Sequence, residues 1–305
     1  MLRKKSKVLS GLLTAALVLG TMCVPAFATE TSDISLDNIE YDYIIDSVDD
    51  LFDLEEDVED QNAGSASAPS AETINVRLDA DLVLDANDGW DGIGTPQSFI
   101  GYSGVFNGNG HTITVVVNNT SNVGPKGGLF NLAVNATIVD LTVEGDVNSN
   151  RFIGGIVGRA MGDLTITDCD VDMDLTLSNG ASNSIGGLIG QCGSGSGGGT
   201  GGGGGTSGGS QGTVKVTGCN VAGTFESTAT TGTPNPIGGM FGHIYSGYTV
   251  NVSDSTVSAS IDASGGAEGA YIANNAGIVT LTNCTNNTGL TNNVGVDNNG
   301  SITVQ

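Results

Sequence analysis

Residues 152–158 read FIGGIVG, and two further stretches repeat the pattern, SIGGLIG at 184–190 and PIGGMFG at 236–242. Each stretch sets a pair of glycines between apolar residues and ends on a third glycine. A single copy could be a nucleotide-binding glycine loop, but several copies in one chain indicate a structural repeat. The spacing of these heptads therefore decides the fold.

The copies are evenly spaced once one insertion is set aside. Two worn copies, GGLFN at 127–131 and GAYIA at 269–273, extend the series at either end. The first glycines of the five copies lie 27, 32, 52 and 31 residues apart. The step of 52 contains a glycine-rich loop insert of twenty residues at 193–212, and without it the step is 32. Repeats of this length, built from strands and turns, are typical of a stacked solenoid.

Short runs of alternating apolar and polar residues lie between the heptads. Examples are HTITVVV at 111–117, TVKVTGCNV at 213–221 and YTVNVSDSTV at 248–257. This alternation predicts half-buried strands, and the Gly, Asn and Asp residues in the gaps predict turns. We therefore expect an all-β, single-domain parallel β-helix solenoid over residues 73–305, in which equivalent strands of neighbouring repeats pair ~4.8 Å apart.

A second position repeats in step with the glycines. It lies in the strand region after each heptad, and its occupants are compact: Leu141, Cys169, Cys219, Ser255 and Cys284. We expect this column to fill the interior, with the cysteines acting as small hydrophobic residues. A disulfide between stacked neighbours stays open as an alternative. Cys192, beside the glycine-rich insert, is left unassigned.

The N-terminus has the features of a secretory signal peptide. Basic residues within 3–7 precede an apolar run at 8–20, and Ala26-Phe27-Ala28 places small residues where signal peptidase cleaves. The apolar run is shorter than the ~20 residues of a membrane-spanning helix. We expect a signal peptide at 1–28, cleavage after Ala28, and a secreted or extracellular protein without membrane insertion, either free or associated with the cell surface.

The mature chain is strongly acidic. From Thr29 onward it has 33 acidic and five basic residues, a formal charge of −28. Such a charge repels nucleic acids and anionic lipids, and it disfavours a polyanionic substrate unless cations bridge the two.

Residues 29–72 form an acidic arm and linker ahead of the repeats. Fifteen acidic residues and no Lys or Arg favour a disordered arm, because little apolar surface offsets the ordering entropy. A partly helical arm is the alternative. Apolar residues at near-helical spacing are Ile45, Val48, Leu51 and Phe52. The stretch NAGSASAPSA at 62–71 is typical of a flexible linker.

The heptads resemble a known family motif. GIVG at 155–158, GLIG at 187–190 and GMFG at 239–242 are similar to the GLUG motif, and FNGNGHTITV at 106–115 resembles the opening segment of GLUG-repeat proteins. The worn copies depart from the motif, with Asn131 and Ala273 in place of the final glycine. The resemblance implies a secreted or surface bacterial protein with a right-handed parallel β-helix. It transfers no catalytic residues, because the motif has none.

A row of carboxylates is the candidate metal site. Asp168, Asp170, Asp172 and Asp174 alternate with apolar residues, so in one strand they would share the outer face. Neighbouring pairs could converge on Ca²⁺, which prefers oxygen ligands. The alternative, which we favour, is a solvated face that discourages aggregation of the sheet. No other cofactor is expected.

Five further residues are candidates for catalysis or ligand binding. Arg159 is the best isolated candidate for a polysaccharide lyase, but alone it is typical of a surface charge. His111 and His243 have no serine or cysteine nucleophile nearby in the sequence and are expected to be structural. Tyr245, together with Tyr248, could form a small platform for a sugar. We name no catalytic residue.

These observations favour a secreted β-helical protein that acts in adhesion or interaction without catalysis. Its expected partner is an extracellular glycan or a cell-surface protein. One alternative is a carbohydrate-active β-helix enzyme, either a polysaccharide lyase or a glycoside hydrolase. A second alternative is a surface module stabilised by Ca²⁺.

Overall fold

The computed structural model describes residues 36–65, 67–90, 92–119, 127–178, 183–193, 211–228 and 235–305. These residues are mostly β-strand, and the strands pair in parallel, so the all-β prediction is confirmed. The predicted signal peptide and most of the glycine-rich insert lie outside the described residues. Within the described ranges, no helix has the length and apolar character needed to span a membrane.

One large sheet contains most of the strands. Those that precede the first complete heptad are β1 (Tyr43–Ile45), β2 (Val76–Leu78), β3 (Leu82–Leu84), β4 (Tyr102–Asn119) and β5 (Phe130–Ser149). The others are β7 (Val157–Thr167), β8 (Asp170–Leu177), β10 (Ile189–Cys192), β11 (Gly212–Thr217), β12 (Asn220–Ser227), β14 (Phe241–Ile244), β15 (Tyr248–Ser253), β16 (Thr256–Val257), β17 (Ser260–Asp262), β19 (Ile272–Asn275), β20 (Ile278–Thr282), β21 (Thr285–Asn286), β22 (Val294–Asp297) and β23 (Ser301–Val304).

The register of this sheet follows the sequence repeat. Phe130 pairs with Val157, which pairs with Ile189, then Phe241, then Ile272. The residue numbers rise along this series by the same 27, 32, 52 and 31 that separate the glycines. Each step is one repeat, and each repeat sets its strand beside the equivalent strand of the next.

A second, four-stranded sheet stacks the glycines themselves. Its strands are β6 (Ile153–Gly154), β9 (Ile185–Gly186), β13 (Ile237–Gly238) and β18 (Glu268–Gly269). A Cβ added to Gly154 would lie 2.5 Å from the Gly190 nitrogen, and one added to Gly186 would lie 2.2 Å from the Gly242 nitrogen. The backbones of neighbouring repeats thus approach more closely than any side chain permits. The heptad is the corner at which the chain leaves this small sheet and enters the large one.

The compact column lies in the core, as predicted. Cys169 and Cys219 are fully buried, and the cysteines at 169, 192, 219 and 284 are all free thiols. The Cys169 thiol lies 3.3 Å from the Thr167 carbonyl, to which it donates a hydrogen bond. The core-filler interpretation is therefore confirmed for Cys169 and Cys219, whereas Cys284 is partly buried against the core, and none of these cysteines is in a disulfide.

The residue before each column position adopts a left-handed backbone. Its occupants have φ between 51° and 66°: Asp140, Asp168, Gly218, Asp254 and Asn283. Gly, Asn and Asp tolerate this conformation best, which explains their recurrence at the position. The large sheet turns a corner here in every repeat.

The acidic arm differs from the disordered segment that its charge favoured. Helix α1 (Val48–Glu59) begins at Ser47, whose hydroxyl accepts a hydrogen bond from the Asp50 backbone in a capping box. Its Leu51, Leu54 and Val58 are fully buried in the same core as the repeats. Each such side chain contributes ~1.5–3 kcal/mol on burial, which offsets the ordering entropy that the composition alone left unopposed.

The rest of the arm is also joined to the sheet. Strand β1 pairs with β2, so residues on both sides of position 72 belong to one sheet. The stretch predicted as a flexible linker hydrogen-bonds to the first repeat, through Gly64 N–H to the Ser98 carbonyl and Ser70 N–H to the Phe99 carbonyl. The arm thus has backbone partners that lie far along the chain, which the sequence pattern could not reveal.

Candidate functional site

The predicted aspartate row is split by the corner of the sheet. Asp170, Asp172 and Asp174 alternate along β8 and are exposed, as the sequence indicated. Asp168 does not belong to that strand, because its φ of 51° places it in the left-handed corner. The predicted row of four is thus three strand residues and one corner residue.

The three strand aspartates belong to a wider acidic face. Strand β8 lies between β5 and β12, with Asp172 paired to Glu144 and Asp174 paired to Asp146. We call Glu144, Asp146, Asp170, Asp172 and Asp174 the acidic face. The Asp170 carboxylate accepts a hydrogen bond of 2.8 Å from the Asn220 amide. Among the described residues, no group of three or more His, Cys, Asp or Glu is arranged to hold a metal ion. A Ca²⁺ site here stays a prediction.

A different set of polar residues meets on the strands that follow the heptads. The fifth residue after the first glycine lies in one register position of β7, β10, β14 and β19, and in the first worn copy that position is the buried Leu132 of β5. The four residues of β7, β10, β14 and β19 are Arg159, Gln191, His243 and Asn274, and we call them the Arg159 column. Val157 and Ala160 of the same strand belong to the main core, whereas Leu132, which pairs with Arg159, belongs to a separate small apolar cluster.

One hydrogen bond joins two members of the column, and two ring contacts join a third member to neighbouring aromatic residues. The Arg159 Nε donates to the Gln191 Oε1 over 3.3 Å, and Gln191 is buried. The His243 ring stacks on Tyr245 with centroids 4.0 Å apart and planes 13° apart. Phe152, the first residue of the opening heptad, meets His243 edge-on at 6.3 Å. Two half-buried aromatic rings therefore lie beside the only histidine of the column.

Burial sets the charge of each group. Burial lowers the pKa of His243 to about 4, so the imidazole is neutral at pH 7 and both donates and accepts hydrogen bonds. Burial raises the pKa of Tyr245, and Arg159 opposes this rise. Burial also lowers the pKa of Arg159, with repulsion from Arg151 adding to it, but a guanidinium remains charged. At neutral pH the column bears one positive charge beside neutral polar and aromatic groups.

The remaining sequence candidates lie elsewhere. The His111 Nδ1 is 3.1 Å from the Asp81 Oδ1, in agreement with a structural role. Tyr248 is buried and its hydroxyl accepts a hydrogen bond from the Gly162 N–H, so it does not form a platform with Tyr245. The one tryptophan of the chain, Trp90, was not a candidate and is buried against the helical arm, where it meets Phe52 edge-on.

Sequence reasoning weighed Arg159 and His243 separately and missed their connection. Gln191, Asn274 and Phe152 were not singled out at all. One signal could have found the column, because all four members lie five residues after the first glycine of a heptad. The register of the sheet converts that shared offset into contact.

No protein-family model matches the chain, and a comparison with curated proteins finds no match. A solved crystal structure is similar: it is described as "a putative immunoglobulin A1 protease from Bacteroides ovatus". The two chains are 15% identical with a TM-score of 0.51, and the match covers 84% of this chain and 83% of the other. At this identity the likeness concerns the fold alone.

Proposed function

We propose that the chain is a secreted, GLUG-like parallel β-helix, right-handed as that resemblance implies, which binds an extracellular ligand without catalysis. The solenoid interpretation is supported by the register steps of 27, 32, 52 and 31 residues and by the parallel pairing throughout. Stacked repeats of this kind offer long, regular outer surfaces, which suit adhesion or interaction.

The observation that carries the binding role is the Arg159 column. Polar side chains from four repeats meet there beside the half-buried rings of Phe152, His243 and Tyr245. Ligand sites combine apolar and aromatic surface with a few placed polar groups in the same way. The partner we propose is an extracellular glycan or a cell-surface protein, with the column as the contact.

The chemistry of the column favours binding over catalysis. None of its four members is a carboxylate or a thiol, so it holds no pair of acids of the kind that glycoside hydrolases use. His243 has a pKa of about 4, far below the value near 7 that suits a general base at neutral pH. A carbohydrate-active enzyme is therefore the weaker interpretation of this site.

The test is a binding screen with product analysis. The mature chain, residues 29–305, is applied to extracellular glycans and cell-surface proteins, and bound ligands are then incubated and examined for cleavage. We expect at least one ligand to bind and to remain intact, and His243→Ala to weaken binding ~10-fold or more through loss of ring and hydrogen-bond contacts.

His111→Ala is the matched control, because it removes the other histidine of the chain and leaves the column untouched. Equal binding by the wild type and His243→Ala would exclude the column as the contact. Release of a cleaved product would replace the binding module with the carbohydrate-active enzyme.

A further inference from the structure

We propose that the Arg159 column recognises a sugar that bears a single carboxylate, such as a terminal acidic residue of a glycan. This inference rests on the proposed binding function and narrows its ligand. It starts from a feature of charge: two of the five basic residues of the mature chain, Arg151 and Arg159, lie close enough to repel each other in a protein of charge −28.

Arg159 has no acidic partner in the described part of the chain. The ion pairs found there join Arg77 to Asp79 and His111 to Asp81. Of the internal residues outside the described ranges, the stretches at 120–126, 179–182, 194–210 and 229–234 contain no Asp or Glu, and Asp91 is the one acidic residue. A half-buried cation without a counter-ion is unfavourable in the free protein, so an anionic ligand gains from neutralising it.

The hydrogen bonds of Arg159 also suit a carboxylate. Gln191 accepts from Nε, which fixes the base of the guanidinium. The two terminal amino groups have no hydrogen-bond partner among the described residues. These groups form the fork that binds both oxygens of a carboxylate, an arrangement roughly twice as strong as neutral hydrogen bonds. Gln191 thus acts as a positioning residue, and Arg159 as the contact.

The neighbours of Arg159 favour a sugar over an acidic peptide. A sugar ring presents an apolar face of C–H groups, for which the half-buried rings of His243 and Tyr245 offer a partner. Its hydroxyls both donate and accept hydrogen bonds, as do Asn274 and the neutral imidazole of His243. One column therefore provides a contact for each part of an acidic sugar: carboxylate, ring face and hydroxyls.

The overall charge limits the ligand to one or few carboxylates. The exposed acidic residues of the chain repel a polyanion along its whole length. A single carboxylate instead interacts mainly with Arg159, because charges farther away are screened. At physiological ionic strength, exposed charges are largely screened beyond ~8 Å. The column and the excess of acidic residues are therefore compatible.

The experiment compares one ligand with and without its charge. Binding of the mature chain is measured by calorimetry to a short oligosaccharide that ends in a hexuronic acid or a sialic acid, and to the same compound after carboxyl reduction. The panel contains the neutral glycans and cell-surface proteins of the first screen. We expect the acidic form to bind ~10-fold or more tightly than the reduced form.

Three variants locate that preference. Arg159→Gln should abolish it, and Lys215→Gln, which removes an equal charge from an exposed position of β11, should leave it intact. Gln191→Glu gives Arg159 an internal carboxylate and should also abolish the preference. This variant keeps the Arg159 cation. Far-ultraviolet circular dichroism verifies the fold of each variant.

Two different failures are distinguishable. If the wild type binds acidic and reduced forms equally, or folded Arg159→Gln keeps the preference, the carboxylate inference is wrong while the binding function stands. If no member of the whole panel binds, the proposed function fails as well.

Discussion

The acidic face and the Arg159 column are two surfaces that arise in the same way, from the stacking of repeats. In both, the sheet register sets equivalent residues of successive repeats side by side. The acidic face is exposed and pairs carboxylate with carboxylate, whereas the column is half-buried and joins one cation to neutral polar and aromatic groups. The repeat thus determines where a side chain lies, and its burial determines how far water screens its charge.

The largest effect is expected from a substitution that disrupts the close stacking of glycines, on which the register of both surfaces depends. A Cβ at Gly186 would lie 2.2 Å from the Gly242 nitrogen and 2.3 Å from the Ile189 carbonyl oxygen. Because both neighbours are backbone, Gly186→Ala should force neighbouring repeats apart and lower the free energy of unfolding by ~3 kcal/mol. Chemical denaturation followed by circular dichroism measures this change.

A matched control comes from the third glycine of the first heptad. A Cβ at Gly158 would meet its nearest atom, the Asn131 carbonyl oxygen, at 3.2 Å, which small shifts relieve. Gly158→Ala should therefore cost less than ~1 kcal/mol. Equal losses for the two variants would show that contact between stacked glycines does not set the spacing of the repeats.

An effect of intermediate size is expected in the Arg159 column, where the titration of His243 makes stability depend on pH. The folded pKa of His243 is about 4 and the unfolded value is 6.5, so the unfolded chain binds a proton in this window that the folded chain does not. Stability should therefore fall as the pH falls from 6.5 toward 4. Between pH 7 and pH 5 the contribution of His243 is at most ~2 kcal/mol.

The measurement is the change in the free energy of unfolding between pH 7 and pH 5. His243→Asn should lose this part of the pH dependence, because Asn has no titrating group. Tyr245→Phe should keep it, because the ring that covers His243 remains. The same pH dependence in wild type and His243→Asn would mean that the imidazole is not desolvated.

The smallest effect belongs to the acidic face. Like charges directly opposite in a sheet repel. Replacing both Asp172 and Asp174 by Asn should therefore raise the melting temperature slightly, by ~1 °C at low salt. Salt should remove the gain through screening. If added Ca²⁺ stabilised the wild type and a chelator reversed this, while the double variant did not respond, the aspartates would be a cation site instead.

The sequence predicted the parts of the fold that backbone contact enforces. The glycine steps anticipated the register because each Gly–Gly approach leaves no room for a side chain, and the cysteines were identified as fillers because they recur in step with the glycines at a position of compact residues. The helical arm was harder, since its Leu51, Leu54 and Val58 become favourable only against a sheet that lies elsewhere in the chain.

The candidate site was predicted in pieces. Arg159 and His243 are conspicuous residue types, but Gln191 and Asn274 are common amides whose role depends on register. The prediction that Asp168 belongs to the strand of the other aspartates was wrong for a related reason. Polar–apolar alternation cannot distinguish a strand residue from a left-handed corner residue that continues the same alternation.

The free thiols of the interior have a consequence for the lifetime of the protein in an oxidising medium. Burial raises the pKa of Cys169 and of Cys192, so in the folded chain these thiols are shielded from oxidants and from exchange with other thiols. Unfolding exposes all of them at once, and in an oxidising medium they can then form disulfides that the native structure does not contain. The working lifetime of the protein would then be governed by how rarely it opens rather than by its equilibrium stability.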